Sequence, residues 1–145
     1  MPFVSLTRLR IRKWFFLPAF FVQSQRIARQ AARAEGNLAV KLLRDRRSAF
    51  WTATSWSSEG SMKAFMRAKP HGPAMRSLLE WCDEAAVVHW EQAGAELPTW
   101  EEAHRRMQRE GRPSKVYHPS AAHTAFTIPA PAPGRISGAH LGTHS

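Results

Sequence analysis

A histidine in a helix break is the residue best suited to chemistry in this chain. His71 lies in the stretch Lys-Pro-His-Gly-Pro, where two prolines and a glycine interrupt a helical pattern. A neutral imidazole in such a loop could accept a proton from a substrate as a general base, or bind haem iron. A loop histidine that caps exposed backbone carbonyls is the alternative, and the residues leave both open. His89, in the middle of a predicted strand, could face the same space as a binding residue, although a hydrogen-bonded structural role is the favoured interpretation.

Aromatic side chains are concentrated around a predicted hairpin and the broken helix: Phe50, Trp51, Trp56, Phe65, Trp81 and Trp90. Strand alternation places Phe50 and Trp56 on one face of the sheet and Trp51 on the other. A chain of 145 residues cannot easily bury every tryptophan, so we expect at least two of these aromatic residues to line an apolar pocket. The predicted walls are Trp51, Trp56, Phe65 and Trp90. Burial of all of them in the core is the alternative.

Sequence signatures of the common enzyme classes are absent. The chain has no GxGxxG, Walker, GxSxG, CxxC or HExxH motif, and Asp45 and Asp83 are its only aspartates. Nucleotide-binding enzymes, paired-carboxylate hydrolases and zinc fingers are therefore disfavoured. Cys82, on the apolar face of a predicted helix, is expected to be a buried, inert thiol. The C-terminal histidines lack metal-ligand spacing, so no metal site is predicted from His104, His118, His123, His140 and His144.

Basic residues exceed acidic ones by 21 − 11 = 10, and residues 1–47 hold eleven of them against only Glu35 and Asp45. This asymmetry could serve a phosphate-rich or acidic partner, but a solvated, arginine-rich surface is the favoured interpretation. No RNA-recognition motif is present, so no specific nucleic-acid partner is expected.

The single cysteine excludes an internal disulfide and leaves a reducing cytoplasm as the default location. The apolar run Trp14–Val22 is too short to span a membrane, and we interpret it as a buried helix start rather than a targeting peptide.

Hydrophobic periodicity predicts the elements that must position these residues. A period of two indicates strands over residues 3–11, 38–43, 49–56 and 84–91. Apolar spacings of three and four indicate a helix from Leu17 to Gly36 and a capped helix from Thr99 to Glu110, with Trp100, Ala103 and Met107 on its buried side. Between the last two strands lies a broken helix, with Met62, Phe65 and Met66 as core face before the break and Met75, Leu78, Leu79 and Cys82 after it. Residues 1–120 are predicted to form one domain, and residues 121–145 a disordered tail rich in proline, alanine and histidine.

This order of elements is the split βαβ arrangement. It predicts an α+β, ferredoxin-like fold with a four-stranded antiparallel sheet, two main helices on one face and an extra C-terminal helix. The other face of the sheet still carries large apolar side chains. We therefore expect that face to find a partner or a ligand.

The hairpin strand Phe50–Trp56, running into a helix with Met62 and Phe65 and followed by His71, resembles the dimeric α/β-barrel superfamily. Within it, the chain is similar to antibiotic-biosynthesis-monooxygenase-like proteins and to bacterial proteins related to spheroidene monooxygenase. The resemblance covers roughly residues 3 to 120. It implies a homodimer with sheet packed against sheet, and a pocket between each sheet and its helices. It also implies that the histidine after the second helix, His71 here, is the functional one.

Members of that superfamily include cofactor-independent oxygenases of polycyclic phenols, haem-degrading enzymes, haem-dependent carotenoid oxygenases and proteins without known activity. The haem-degrading branch pairs an asparagine on the first strand with a tryptophan on the second helix. This chain has Ser5 and Thr7 on that strand and Phe65 on that helix, which argues against haem degradation. The resemblance therefore leaves the cofactor as none or haem.

Three functions remain open from the sequence. The first is a small-molecule monooxygenase for an apolar or aromatic metabolite, with His71 as base and Ser5 or Thr7 as hydrogen-bond donors. The second is a binding protein without chemistry that holds a pigment, a lipid-like metabolite or haem. The third is an arginine-rich adaptor for an anionic partner, whose binding would weaken steeply with salt.

Overall fold

The computed structural model describes residues 1–45, 48–68, 77–131 and 139–143. His71, the predicted base, lies outside the described residues, as does Met75. The role of His71 therefore stays a prediction. In the described part of the chain, no helix has the length and apolar character that a membrane span requires.

The fold is an α+β sandwich around one antiparallel sheet. Its strands are β1 (Phe3–Ile11), β2 (Asn37–Arg44), β3 (Ala49–Trp56), β4 (Cys82–Glu91), β5 (Arg112–Pro113) and β6 (Ala139–Thr143). The helices with both ends described are α1 (Leu17–Arg33), α2 (Glu59–Ala68), α3 (Trp100–Glu110) and the short α4 (Ala121–Ala125), and a 3-10 turn at Trp14–Phe16 precedes α1. Residues 77–81, just before β4, are helical as well.

The strand order is β5-β4-β1-β3-β2-β6. Its four central strands, β4-β1-β3-β2, have the order of a ferredoxin-like sheet, and each described pair of neighbours is antiparallel. The predicted fold class is confirmed. The edge strands β5 and β6 extend the sheet beyond the four strands that the sequence predicts.

One face of the sheet, here called the helix face, packs against α1 and α2. Directly opposite residues of antiparallel strands share a face, so the register Thr7↔Thr52 and Thr7↔Val87 identifies its members on β1, β3 and β4. Phe20, Ala28 and Ala31 of α1 and Met62 and Phe65 of α2 are buried against it. The two main helices therefore lie on one face, as predicted.

The other face, here called the second face, is covered by the C-terminal part of the same chain. Ala103 and Met107 of α3 are fully buried against Leu6 and Trp51, and Ile128 completes this cluster. Thr99 caps α3 by accepting a hydrogen bond from the Glu102 N–H at 3.2 Å, so the helix starts where the sequence predicts. The apolar second face thus has an intramolecular cover.

The C-terminal segment differs from the predicted disordered tail over residues 121–131. The helix α4 begins at Ser120, whose hydroxyl accepts from the His123 N–H, and Ile128 is only 7% exposed. The Ile128 N–H donates to Gln108, and its carbonyl lies 2.6 Å from His104 Nε2. Composition favoured disorder here, but the apolar side chain of Ile128 reaches a sheet face that would otherwise be exposed.

Three local expectations are wrong, each because the packing differs from the periodicity. Met66 is 44% exposed, because α2 turns Met62 and Phe65 rather than Met66 toward the buried cluster on the sheet. The start of the first helix is largely exposed rather than buried, since Trp14 and Phe15 are 79% and 54% exposed. Phe20 is the buried residue of that run, and Phe16 and Leu17 pack beside it while partly exposed. Cys82 is buried as expected, but on β4 rather than on a helix.

Candidate functional site

Four hydroxyl-bearing residues lie together at the centre of the helix face. Ser5 is directly opposite Thr54 on β3, and Thr7 is directly opposite Thr52. Opposite residues on one face have Cβ atoms about 4.5–5.5 Å apart, so these side chains form one group. We call Ser5, Thr7, Thr52 and Thr54 the hydroxyl patch.

Only one hydroxyl of the patch is committed to side-chain hydrogen bonds within the fold. Thr54 Oγ1 accepts from Trp56 Nε1 at 2.9 Å and donates to the Ser5 carbonyl at 3.4 Å. The hydroxyls of Ser5, Thr7 and Thr52 make no hydrogen bond within the described part of the chain, and these residues are half-buried. Three donors and acceptors are therefore available to a bound molecule.

Apolar clusters border the hydroxyl patch at both ends of the strands. Toward the start of β1, Trp56 packs on Phe65 of α2 with ring centroids 5.2 Å apart. Toward its end, Phe50 packs on Phe20 of α1 at 4.7 Å. The helix face therefore presents a polar centre between aromatic ends, which suits a largely apolar molecule that carries a few polar atoms.

His89 adds an ionisable group beside the patch. It lies on β4 directly opposite Ser5, is exposed, and has its ring 5.6 Å from that of Phe3. Partial desolvation lowers the pKa of His89, and the positive charge of Arg112 lowers it further. This shift favours the neutral imidazole, which can both donate and accept a hydrogen bond. No hydrogen bond to His89 occurs within the described residues, so the expected structural bond is not seen there.

The predicted pocket residues divide between the two faces of the sheet. Ser5, Thr7, Trp56, Phe65 and His89 share the helix face. Trp51 and Trp90 lie on the second face, where Trp51 is fully buried. The guanidinium of Arg106, on α3, lies over the Trp90 ring, with Cζ 4.3 Å from the ring centroid. The sheet separates the two groups, so no one pocket contains all seven.

A buried ion pair on the second face was not predicted. Arg8 is 1% exposed, and its Nη1 donates to Glu84 Oε1 at 2.6 Å. Burial pushes the pKa of Glu84 up, but hydrogen bonds from Arg8 and from Ser120, at 2.9 Å, outweigh it and the net pKa is lowered. Arg8 Nε, Arg8 Nη2 and Trp51 Nε1 are buried without an acceptor in the described part of the chain. The available signal was strand alternation, which places Arg8 with Val4 and Leu6.

A cleft of about 650 Å³ lies between α1 and α2. Phe65 forms part of its wall, together with Arg26, Arg29 and Arg33 of α1. We call it the arginine cleft. Its lining includes no histidine, cysteine, methionine or tyrosine that could ligate haem iron, and no cluster of three metal-binding side chains occurs among the described residues. The cleft therefore offers no side chain that could ligate haem iron.

Comparisons with known proteins identify the fold. No family model and no curated protein match the chain. Among solved structures, a conserved protein from Methanosarcina mazei is 14% identical, with a TM-score of 0.56 over 64% of this chain and 94% of its own. A protein from Nitrosomonas europaea, provisionally assigned as an antibiotic biosynthesis monooxygenase, is 17% identical, with a TM-score of 0.53 over 63% of this chain and 89% of its own.

A mutant of SnoaB, a cofactor-independent oxygenase from Streptomyces nogalater, is 19% identical, with a TM-score of 0.51 over 68% of this chain and 98% of its own. At these identities the likeness is one of fold. The chain has the ferredoxin-like fold of antibiotic-biosynthesis-monooxygenase-like proteins, and the resemblance inferred from its residues is confirmed at that level.

Proposed function

We propose that the chain is a monooxygenase-like protein that binds an aromatic or largely apolar metabolite over the hydroxyl patch. The observation that supports this most directly is the set of three half-buried hydroxyls, on Ser5, Thr7 and Thr52, that lack a partner in the described chain and lie between aromatic clusters. The solved structures of similar fold include a cofactor-independent oxygenase, which agrees with a monooxygenase-like protein.

The hydroxyls would position the ligand by hydrogen bonds to its oxygen atoms. Trp56 and Phe65 are buried, so they would form the packed wall beside its apolar part rather than stack on it. Each hydrogen bond from a neutral hydroxyl contributes about 1 kcal/mol to binding, because the same groups would otherwise bond to water. The aromatic walls supply affinity, and the hydroxyls supply orientation.

The reaction that suits this site is oxygenation of an activated methylene group. An imidazole takes a proton from the methylene carbon, the C–H electron pair stays on that carbon, and the carbanion transfers an electron to O₂. Recombination and loss of water convert R₂CH₂ and O₂ into R₂C=O and H₂O, which balances without an external reductant. His71 is the predicted base, and His89 is the histidine next to the patch among the described residues.

Binding without turnover is the alternative. Hydroxyl groups neither accept protons nor carry electrons at neutral pH, so the patch alone explains recognition and not chemistry. Haem as ligand would depend on His71, and no step above uses it. A homodimer through the second face also stays a proposal, since α3 and Ile128 already cover that face.

The test is binding of a fluorescent polycyclic phenol. Binding is measured as quenching of the protein's tryptophan fluorescence, and oxygen consumption is measured in parallel. Thr7→Val and Thr52→Val remove one hydroxyl each and keep the β-branched shape, so each should weaken binding about fivefold. Thr127→Val is the matched control, because Thr127 is exposed and lies on another part of the fold. Equal binding by all three variants would refute the proposed site.

The same samples separate an enzyme from a binder. Oxygen uptake that requires the phenol and is lost in His71→Ala or His89→Ala supports the oxygenase and identifies its base. Binding without oxygen uptake supports the binding protein. A Soret band on titration with haem, lost in His71→Ala, would replace the phenol-like ligand with haem.

A further inference from the structure

We propose that the arginine cleft binds the phosphate or pyrophosphate group of a small molecule, at a site separate from the hydroxyl patch. Arg26, Arg29 and Arg33 line this cleft of about 650 Å³ between the second half of α1 and α2. A guanidinium is planar and presents paired donors that match a phosphate oxygen pair. Three of them around one cavity are a typical arrangement for an oxyanion.

Among the residues that the structure describes, no acidic side chain neutralises these three arginines. The eleven acidic side chains of the sequence all belong to the described residues, and none forms an ion pair with Arg26, Arg29 or Arg33. By contrast, Arg8, Arg10 and Arg12 pair with Glu84, Asp83 and Glu80. Glu35 is the acidic residue among the cleft-lining groups, so the lining carries 3 − 1 = 2 positive charges.

The spacing of the arginines has a cost that a bound anion would offset. Positions 26, 29 and 33 repeat at three and four residues, so their side chains lie on one side of the helix over about 10 Å. Like charges at these spacings destabilise a helix by a few tenths of a kcal/mol per pair. Arg33 is in the last helical turn, where the helix dipole favours a cation, but Arg26 and Arg29 have no such compensation.

The rest of the lining indicates a small ligand with an apolar part. Phe65 reaches the cleft with one side while the other packs on Trp56, and the Ser61 hydroxyl adds a neutral polar group. Gly36, at φ +85°, makes the turn that brings the end of α1 beside Ser61, and a side chain there would collide with Ser61. The two helix ends are thus held close enough to form a concave site.

A small molecule fits this surface better than a nucleic acid. Nucleic-acid binding needs a continuous basic surface that follows many phosphates. Here Arg8, Arg10 and Arg12 are used in ion pairs inside the fold, and Lys41 contacts Trp100 instead. Lys13, Lys41 and Arg44 also lack an acidic partner among the described residues, but they lie outside the cleft, where Arg26, Arg29 and Arg33 line one concave site.

The test is calorimetric titration of the full chain with inorganic pyrophosphate and with a single-stranded RNA oligonucleotide. Pyrophosphate should bind, and Arg29→Gln should weaken it about tenfold, the loss expected for a charge-assisted hydrogen bond. Arg26→Gln should act in the same direction. Arg109→Gln is the matched control, because Arg109 is exposed in the last turn of α3, as Arg33 is in α1. This variant should bind pyrophosphate like the wild type.

Equal loss in Arg29→Gln and Arg109→Gln would mean a general charge effect and would overturn the proposal. So would absence of pyrophosphate binding, or RNA binding with a steep salt dependence in its place. The Thr7→Val variant should retain pyrophosphate binding, which keeps this result independent of the proposed function.

Discussion

Replacing Glu84 by glutamine is expected to destabilise the protein by about 3 kcal/mol. The Glu84 carboxylate accepts from Arg8 at 2.6 Å and from Ser120 at 2.9 Å, and the side chains of Arg8 and Glu84 are 1% and 8% exposed. Breaking a buried pair costs about 3–5 kcal/mol, because a buried charge is left without its counter-charge. Glutamine keeps the shape and can still accept hydrogen bonds, so the lower end of that range applies.

Urea unfolding and thermal melting would measure this effect. A loss of about 3 kcal/mol corresponds to a decrease in Tm of about 6–12 °C for a chain of this size. The double variant Arg8→Met with Glu84→Gln should recover at least half of the loss, because methionine removes the uncompensated charge and fills an apolar site beside Trp51. Glu102→Gln is the control, since solvent screens its exposed pair with Arg105.

Unfolding of Glu84→Gln at the same urea concentration as the wild type would contradict this prediction. A double variant less stable than Glu84→Gln would contradict it as well, because Arg8 would then be stabilised by something other than this carboxylate.

Three further outcomes are expected. Because folding lowers the pKa of Glu84, the contribution of its carboxylate to the free energy of unfolding is complete above the ordinary pKa of a glutamate. That contribution is lost as pH falls through the pKa of Glu84 in the folded state. The stability of the wild type should therefore approach that of Glu84→Gln in acid. Asp83 has a raised pKa, mainly from burial, so its effect on stability changes with pH in the opposite direction. The difference in the free energy of unfolding between wild type and Glu84→Gln should therefore be plotted against pH, because the effect of Asp83 is common to both proteins. Burial raises the pKa of the Cys82 thiol to about 12, so a disulfide reagent at pH 8 should react only after unfolding, and rapid reaction of the native protein would contradict this. Met107→Ala should cost about 2–5 kcal/mol in urea unfolding, whereas Met66→Ala, at a position 44% exposed, should cost far less.

The strands were predictable because alternation is a local signal. The bounds Phe3–Ile11 and Ala49–Trp56 match those read from the sequence, and the same alternation places Trp51 and Trp56 on opposite faces. Opposite faces are incompatible with one shared pocket, and only the register shows which residues accompany each. The hydroxyl patch needed that register, since Thr52 and Thr54 become neighbours of Ser5 and Thr7 only through strand pairing.

What the sequence could not provide depends on contacts between distant residues. Arg8 and Glu84 are 76 positions apart, so strand alternation places Arg8 beside Leu6 but cannot identify the carboxylate that pairs with it. Ile128 lies in a segment whose composition favours disorder, and its burial follows only from an uncovered sheet face. Whether that face is covered depends on where α3 packs, and the periodicity of the α3 sequence does not specify this.

The position of α3 also has a consequence for self-association. A second copy of the chain that approached the second face would compete with a tethered helix, whose effective concentration is on the order of millimolar for a short linker. At micromolar protein concentration, the tethered helix therefore occupies the second face unless the surface of the second copy binds that face far more tightly. Sheet-to-sheet pairing would then require the two copies to exchange their C-terminal segments, with Met107 and Ile128 of each leaving their own sheet. Such an exchange is slow and depends on concentration, and a shorter β4–α3 connection would shift the equilibrium toward it.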